Sequence, residues 1–182
     1  MVRIVNAVGS GSLATEFDLE QVSRALGAVA EYDPEKYPGM YLRLSDDEPL
    51  ITVYRTGKYI ITGAESEAEL HSVRDRFLTL LSDEQIPASA TDDDFAVQNL
   101  VCTAELDDGQ NLNALAIGLG LERTEYEPEQ FPGLIYRPVD YPCVLLIFAT
   151  GKVVITGAAD LEDATEAFAD LENRIEQLTG ET

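Results

Sequence analysis

The stretch Leu145-Leu-Ile-Phe-Ala-Thr-Gly-Lys-Val-Val-Ile-Thr-Gly-Ala158 consists of two apolar, β-branched runs on either side of a Thr-Gly pair. A connection this short fits only a hairpin turn, so the flanking strands are predicted to be antiparallel. A related stretch lies 94 residues earlier, where Thr56-Gly-Lys58 and Ile61-Thr-Gly-Ala64 match the later segment. The chain therefore contains the same hairpin twice.

The duplication covers nearly the whole chain. Glu31-Tyr-Asp-Pro-Glu-Lys-Tyr-Pro-Gly39 recurs with the same offset as Glu125-Tyr-Glu-Pro-Glu-Gln-Phe-Pro-Gly133, and Asn6-Ala-Val8 recurs as Asn99-Leu-Val101 with an offset of 93. So many matches in one order exclude a chance resemblance of strand-rich segments. We predict two copies of one unit, residues 1–90 and 91–182, with approximate twofold symmetry and a solvated connection at 89–94.

Hydrophobic periodicity predicts one order of elements in both copies. A strand comes first, then a helix with an Asp18 or Asn111 cap, three strands and a long closing helix, which in the first copy begins with a Ser66 and Glu69 capping box. The predicted strands are Arg3–Ser10, Met40–Leu44, Leu50–Arg55, Lys58–Thr62, Ala96–Thr103, Leu134–Pro138, Cys143–Ala149 and Lys152–Thr156. The predicted helices are Phe17–Leu26, Ser66–Leu81, Asn111–Leu119 and Leu161–Leu178. The closing helices are expected to bury Leu70, Val73, Phe77 and Leu80, and Leu161, Ala164, Phe168, Leu171 and Ile175.

Composition excludes several classes of protein. A chain with 45% hydrophobic residues is too apolar for disorder, and its longest apolar run, Cys143 to Ala149, is too short to span a membrane. Cys102 and Cys143 have no nearby Cys or His, so both are expected to be buried as small apolar residues rather than to form a zinc or disulfide site. We expect a soluble, cytoplasmic protein without a cofactor.

The charge of −22 at neutral pH argues against binding to another polyanion, unless one surface lacks acidic groups. Only three basic residues are Lys, and this composition is typical of proteins that work in concentrated salt. Alternation along the strands predicts such a surface: a sheet face opposite the core, apolar at its centre, with Asn and Thr side chains, cations near its edge and no carboxylate. In the first copy it consists of Asn6, Val8, Ser10, Tyr41, Arg43, Thr52, Tyr54, Lys58, Ile60 and Thr62. In the second copy it consists of Asn99, Val101, Thr103, Ile135, Arg137, Leu146, Phe148, Lys152, Val154 and Thr156.

The repeated segments resemble the TATA-box-binding proteins, of the short archaeal type. The resemblance spans essentially the whole chain and is strongest in Tyr126-Glu-Pro-Glu-Gln-Phe-Pro-Gly-Leu-Ile-Tyr-Arg137 and in the 145–158 stretch. It implies an α+β fold in which a curved ten-stranded antiparallel sheet forms a saddle with helices on its convex face. It also implies a transcription initiation factor of halophilic type that binds and bends promoter DNA through the minor groove.

The resemblance also implies roles for individual residues. Asn6 and Asn99 would meet at the pseudo-twofold axis and donate amide protons to base acceptors, with Thr62 and Thr156 on either side. Phosphates would be contacted by Arg43, Lys58, Arg137 and Lys152. Aromatic wedges between base steps would be Tyr37 with Tyr54 and Phe131 with Phe148. Transcription factor B, and RNA polymerase through it, would be recruited beside the second wedge by Glu127, Glu129 and Gln130.

The first copy departs from the family pattern. Both of its wedges are Tyr where Phe is usual, and Thr52 stands where the second copy has Leu146. A phenol hydroxyl among stacked bases needs a polar partner, so we expect a shallower kink at this end.

Two other functions fit a face of this kind. One is a DNA-processing enzyme with a saddle-shaped domain, which the sequence does not support because the only histidine, His71, lacks catalytic neighbours and is expected to be solvated on its helix. The other is a module that binds a polypeptide on the apolar face. An A·T-rich duplex in high salt distinguishes the three functions. An enzyme would convert it to product, a polypeptide-binding module would not bind it, and a promoter-binding factor would bend it.

Overall fold

The computed structural model describes residues 1–88 and 94–180. These residues form two compact units, one of residues 6–98 and one of residues 1–5 with 99–182. Apart from Asp94, the predicted connection at 89–94 lies outside the described residues.

The first copy contains a five-stranded antiparallel sheet, and its strands are ordered β2-β3-β4-β5-β1. The elements are β1 (Arg3–Ser12), α1 (Leu19–Leu26), a 3-10 turn (Gly27–Val29), β2 (Ala30–Glu31), β3 (Met40–Leu42), β4 (Leu50–Val53), β5 (Lys58–Ala64) and α2 (Glu67–Asp83).

The second copy has the same arrangement, and its strands are ordered β6-β10-β9-β8-β7. The elements are β6 (Ala96–Glu105), α3 (Leu112–Leu119), β7 (Thr124–Glu125), β8 (Leu134–Tyr136), β9 (Val144–Ile147), β10 (Lys152–Ala158) and α4 (Leu161–Gly180). The predicted α+β class is confirmed, and each predicted strand and helix has a counterpart.

The helix caps form as predicted. The Asp18 carboxylate accepts from two backbone N–H groups of α1, Asn111 Oδ1 accepts from Ala114 N of α3, and Ser66 Oγ accepts from Glu69 N of α2. The second half of the capping box differs by one residue, because Glu69 Oε2 accepts from Glu65 N rather than from Ser66 N. Each helix thus begins where a side chain satisfies its free N–H groups.

The two hairpins close through three-residue turns that end in glycine. Tyr54 N donates to Lys58 O at 2.8 Å in the first copy, and Phe148 N donates to Lys152 O at 2.9 Å in the second. Gly57 and Gly151 have φ angles of 89° and 96°, a backbone conformation that strains residues with a Cβ. The turns therefore place an aromatic residue and a lysine side by side at each hairpin end.

The core lies between one face of each sheet and its long helix. In the first copy the ring of Tyr59 on β5 packs edge-on against Phe77 of α2, with centroids 5.3 Å apart. Both expected stripes need correction: Leu81 is buried in place of Leu80, and in α4 Ala167 is buried while Leu161 is exposed and Ile175 is only half-buried. In the first stripe Leu70, Val73 and Phe77 are buried as predicted and only the last position lies one residue later, and Leu161 is exposed because it is the first residue of α4.

The cysteines are buried and free, as predicted. Burial raises the pKa of both the Cys102 and the Cys143 thiol, which keeps them protonated and inert near neutral pH. They act as small core residues.

Candidate nucleic-acid interface

Side chains opposite the core line up in rows across each sheet. Backbone register places Tyr41, Thr52, Ile60 and Ser10 side by side in the first copy, and Ile135, Leu146, Val154 and Thr103 in the second. Directly paired residues of antiparallel strands project to the same face. All of these residues except Thr52 are half-buried, whereas their neighbours along the strands lie in the core. The predicted face is therefore present in each copy, together with the half-buried Val8, Thr62, Val101 and Thr156.

The expectation that this face carries no carboxylate is wrong at its margins. Glu31 on β2 pairs with Tyr41, Glu125 on β7 pairs with Ile135, and both glutamates are exposed. Glu105 pairs with Lys152 at another edge. The strands β2 and β7 have only two residues each, too few for alternation to reveal them, and β6 extends beyond its predicted end. The centre of each row carries no acidic residue, so the apolar floor itself is as expected.

Thr52 occupies its predicted row but is only 8% exposed. A Cβ added at Gly39 would lie 2.9 Å from Thr52 Cγ2, 2.9 Å from a ring carbon of Tyr37 and 3.2 Å from one of Tyr54. The absent side chain at Gly39 thus lets two tyrosine rings close over the threonine. The sequence expectation of an exposed Thr52 is corrected by this packing.

The two asparagines are held in equivalent ways. Asn6 Oδ1 accepts from Gly63 N at 2.7 Å, and Asn99 Oδ1 accepts from Gly157 N at 2.7 Å. Because a backbone N–H can only donate, the amide oxygen is the atom bound and the NH2 group of each asparagine keeps its donors for another partner. Both glycines have positive φ angles, 94° and 85°, and both follow a register shift in the strand pairing. The bulges therefore orient the asparagines as donors, which the spacing alone did not reveal.

The second-copy aromatic pair is Phe131 with Phe148. Their rings meet edge to face with centroids 5.8 Å apart, and both are half-buried. Gly133 permits this approach, because a Cβ there would lie 2.9 Å from a ring carbon of Phe131 and 3.1 Å from one of Phe148. The pair is thus fixed at the sheet end with part of each ring open to solvent.

The first-copy pair, Tyr37 with Tyr54, also meets edge to face, at 6.2 Å, but its two hydroxyl oxygens lie 2.6 Å apart. The ring of Tyr41 stacks on Tyr37 at 5.3 Å with planes 7° apart. The hydrogen bond with Tyr37, and then burial, raise the pKa of Tyr54 to about 12. The first copy therefore has a linked tyrosine cluster where the second has two phenylalanines.

The four predicted phosphate-contacting cations are all exposed, but their surroundings differ. Arg137 pairs with Glu125, with Nη1 and Oε2 at 2.9 Å, whereas Arg43 Nη1 donates to the backbone oxygen of Glu48 at 3.2 Å. Lys58 and Lys152 lie at the starts of β5 and β10, next to the hairpin turns. Among the described residues, Arg43, Lys58 and Lys152 form no ion pair with a carboxylate and could bind a phosphate directly. Arg137 would first have to release Glu125.

The predicted partner-binding residues lie in the turn between β7 and β8. Gln130 N and Phe131 N both donate to Glu127 O, at 2.9 and 3.0 Å, and the side chains of Glu127, Glu129 and Gln130 are exposed. The turn that presents these acidic groups also anchors Phe131.

Catalytic and metal-binding features are limited in the described part of the chain. Residues 1–88 and 94–180 contain no group of three or more His, Cys, Asp or Glu side chains arranged to hold a metal ion. His71 is exposed, as predicted, and its ring contacts Phe95 edge to face at 5.3 Å. None of the described helices has the length and apolar character to cross a membrane.

Comparison with known proteins gives one family throughout. The family model described as "Transcription factor TFIID (or TATA-binding protein, TBP)" matches residues 1–83 and 94–178. The chain is 53% identical to TATA-box-binding protein C of Halobacterium salinarum, covering 97% of this chain and 98% of that protein. It is 42% identical to the TATA-box-binding protein of Natronomonas pharaonis, with 97% and 94% covered. The solved structure of Methanococcus jannaschii TBP superimposes with a TM-score of 0.82 at 40% identity, over 97% of this chain and 98% of that one. The expected relationship to archaeal, halophilic members is confirmed, and the curated relatives are named as TATA-box-binding proteins.

Proposed function

The chain belongs to the transcription factor TFIID, or TATA-binding protein, family, and on this premise we propose that it binds and bends TATA-box promoter DNA through the minor groove. In this proposal the complex recruits transcription factor B through Glu127, Glu129 and Gln130, and RNA polymerase through that factor. The protein acts without catalysis, on promoters of the cytoplasmic nucleoid.

The observation that carries the proposal is the orientation of the two asparagines. The minor groove presents acceptors at every base pair, and only a G·C pair adds a donor. The oxygens of Asn6 and Asn99 accept from Gly63 N and Gly157 N, and this fixes each side chain with its NH2 group available to donate to base acceptors. The aliphatic side chains of the rows, Ile60, Ile135, Leu146 and Val154, accept no hydrogen bond, so a guanine amino group against them would have no partner, which favours A·T pairs.

Bending is assigned to the aromatic pairs. Side chains that insert between base steps unstack them at a cost of a few kcal/mol per step, which is least at flexible pyrimidine–purine steps. Phe131 and Phe148 are half-buried, and they present apolar edges with no polar group to desolvate. Arg43, Lys58, Arg137 and Lys152 would then contact phosphates on either side of the kinks.

Fluorescence anisotropy and energy transfer across a labelled duplex test this function in molar KCl. An A·T-rich duplex is expected to bind and shorten its end-to-end distance, and a G·C duplex of equal length is expected to do neither. The Asn99→Asp variant should abolish binding, since it exchanges the donor group for a negative charge. Equal binding of both duplexes, or binding without a change in end-to-end distance, would contradict the proposal.

A further inference from the structure

A groove between α3 and the last turns of α4 lies outside the surfaces assigned above. It encloses about 650 Å³ within the unit of residues 1–5 and 99–182. Leu115, Ile117, Ile175 and Leu178 contribute its apolar lining, and Ile117 is 71% exposed while Leu178 is 45% exposed. Large aliphatic side chains this open to solvent, grouped in one concave site, mark a binding surface more often than a monomer surface.

The lining of this groove is not a repeated feature of the fold, because the matching positions of the first copy carry charged side chains. In the repeat alignment Ile117 corresponds to Arg24, which forms an exposed ion pair with Glu20 of α1. Leu178 corresponds to Glu84. The helix α4 continues for three more residues than α2, so Leu178 is still helical whereas Glu84 lies beyond the end of α2. The additional turn brings Leu178 against α3, where a Cβ on Gly118 would lie 2.4 Å from Leu178 Cδ1. The matching positions are thus charged in the first copy and aliphatic in the second, where they line a groove.

The charge around the groove restricts its occupant. The described residues that line it include four carboxylates, those of Asp107, Asp108, Glu172 and Glu176, and no Lys or Arg. Nucleic acid, an anionic membrane and a second copy of a chain with charge −22 would all bring more negative charge to this rim. A cationic partner with an apolar stripe is complementary to both the rim and the floor.

We propose that the α3–α4 groove binds a basic amphipathic segment of a partner protein, with aliphatic side chains on Ile117, Ile175 and Leu178 and Lys or Arg side chains on the acidic rim. At about 1 M salt the Debye length is about 3 Å, so only close ion pairs contribute and the apolar contact provides most of the affinity. This binding is independent of the DNA-binding face.

The test uses the full chain, labelled with 15N, and a synthetic amphipathic peptide of about 16 residues with Leu at helical spacing and Lys on the flanking positions. In about 1 M KCl the peptide is expected to shift the amide resonances of α3, of the last turns of α4 and of the 106–110 loop. The matched peptide with Glu in place of each Lys is expected to bind about tenfold more weakly or not at all.

Two variants restore the first-copy residues. Ile117→Arg and Leu178→Glu should each weaken the Lys peptide about tenfold or more, while Val139→Arg, an equally exposed aliphatic position outside the groove, should leave its affinity unchanged. Binding of an A·T-rich duplex should be normal in all three, which separates this inference from the proposed function. The inference is overturned by a lack of peptide binding, by equal binding of the Glu peptide, or by shifts of the groove resonances that depend on protein concentration alone, which would indicate a second copy as the occupant.

Discussion

The hydroxyl oxygens of Tyr37 and Tyr54 lie 2.6 Å apart, so the two aromatic side chains proposed to kink DNA at the first-copy end are hydrogen-bonded to each other. A hydrogen bond of this kind has a net worth of about 0.5 to 1.5 kcal/mol. Inserting either ring between bases would break it or bury it, so the first-copy end carries a cost that Phe131 and Phe148 do not.

Replacing both tyrosines tests this asymmetry. The double variant Tyr37→Phe with Tyr54→Phe is expected to bind an A·T-rich duplex about three- to tenfold more tightly, because no hydroxyl has to be desolvated. A fluorescent base analogue at each end of the site measures the unstacking. In the wild type the Phe131 end should unstack more, and in the double variant both ends should unstack equally. The converse pair, Phe131→Tyr with Phe148→Tyr, is the matched control and should weaken binding by a similar factor.

The same contact predicts an alkaline titration. Tyr54 has a pKa of about 12 against an ordinary value near 10, and its largest cause is the hydrogen bond with Tyr37. Because the folded-state pKa is the higher one, the stability from this contact is complete below pH 10 and is lost as the pH rises towards 12. In 13C-tyrosine spectra, Tyr37→Phe should lower the pH of the Tyr54 transition from about 12 towards 10, because the largest cause of the shift is removed and burial remains. A Tyr54 transition that stays near pH 12 in Tyr37→Phe would assign the shift to burial instead.

The asparagine geometry predicts a separation of stability from DNA binding. Asn99→Asp keeps an oxygen that can accept from Gly157 N, so the melting temperature in molar KCl should change little. The same variant replaces two donors with a negative charge against base acceptors, and duplex affinity should fall at least about a hundredfold, as for other unpaired buried charges at interfaces. Asn6→Asp should behave alike, and Asn113→Asp, on α3 and outside the site, is the charge-matched control. Loss of melting temperature in parallel with affinity would argue for a purely structural role.

The Arg137–Glu125 ion pair predicts a salt effect. Exposed pairs contribute about 0.2 to 1 kcal/mol and are screened at high ionic strength, so Arg137 is more available for a phosphate in concentrated salt. We expect duplex affinity to persist or rise towards molar KCl, since acidic groups near DNA take up cations as it binds.

Glu125→Gln should therefore raise affinity at low salt and have little effect in molar KCl. Glu31→Gln changes the equivalent position beside an arginine that contacts a backbone oxygen, and its effect should be smaller. A log-log slope of about −5 or steeper at high salt would contradict the expected behaviour.

Much of this arrangement was predictable from the sequence, because the repeat fixes the order of elements and long strands alternate clearly. Each strand of four or more residues and each α-helix was predicted, and so was the half-buried row through Ile60 and Val154. What could not be predicted depends on contacts between distant residues. The strands that bring Glu31 and Glu125 to the face have only two residues each, which is too few to show an alternation of apolar and polar side chains. Thr52 is covered only because the rings of Tyr37 and Tyr54 meet at Gly39. The donor orientation of Asn6 depends on a bulge at Gly63 that propensity does not reveal.

The three-residue extension of α4 has an evolutionary consequence. A duplicated protein begins with two equal halves, and any surface used by one partner is then offered twice. Here one helix is three residues longer than its counterpart, and Ile117 and Leu178 stand where the other copy has Arg24 and Glu84, so the two halves differ on a surface away from the proposed DNA-binding face. A partner protein that binds these aliphatic side chains would then bind one copy of the repeat and not the other.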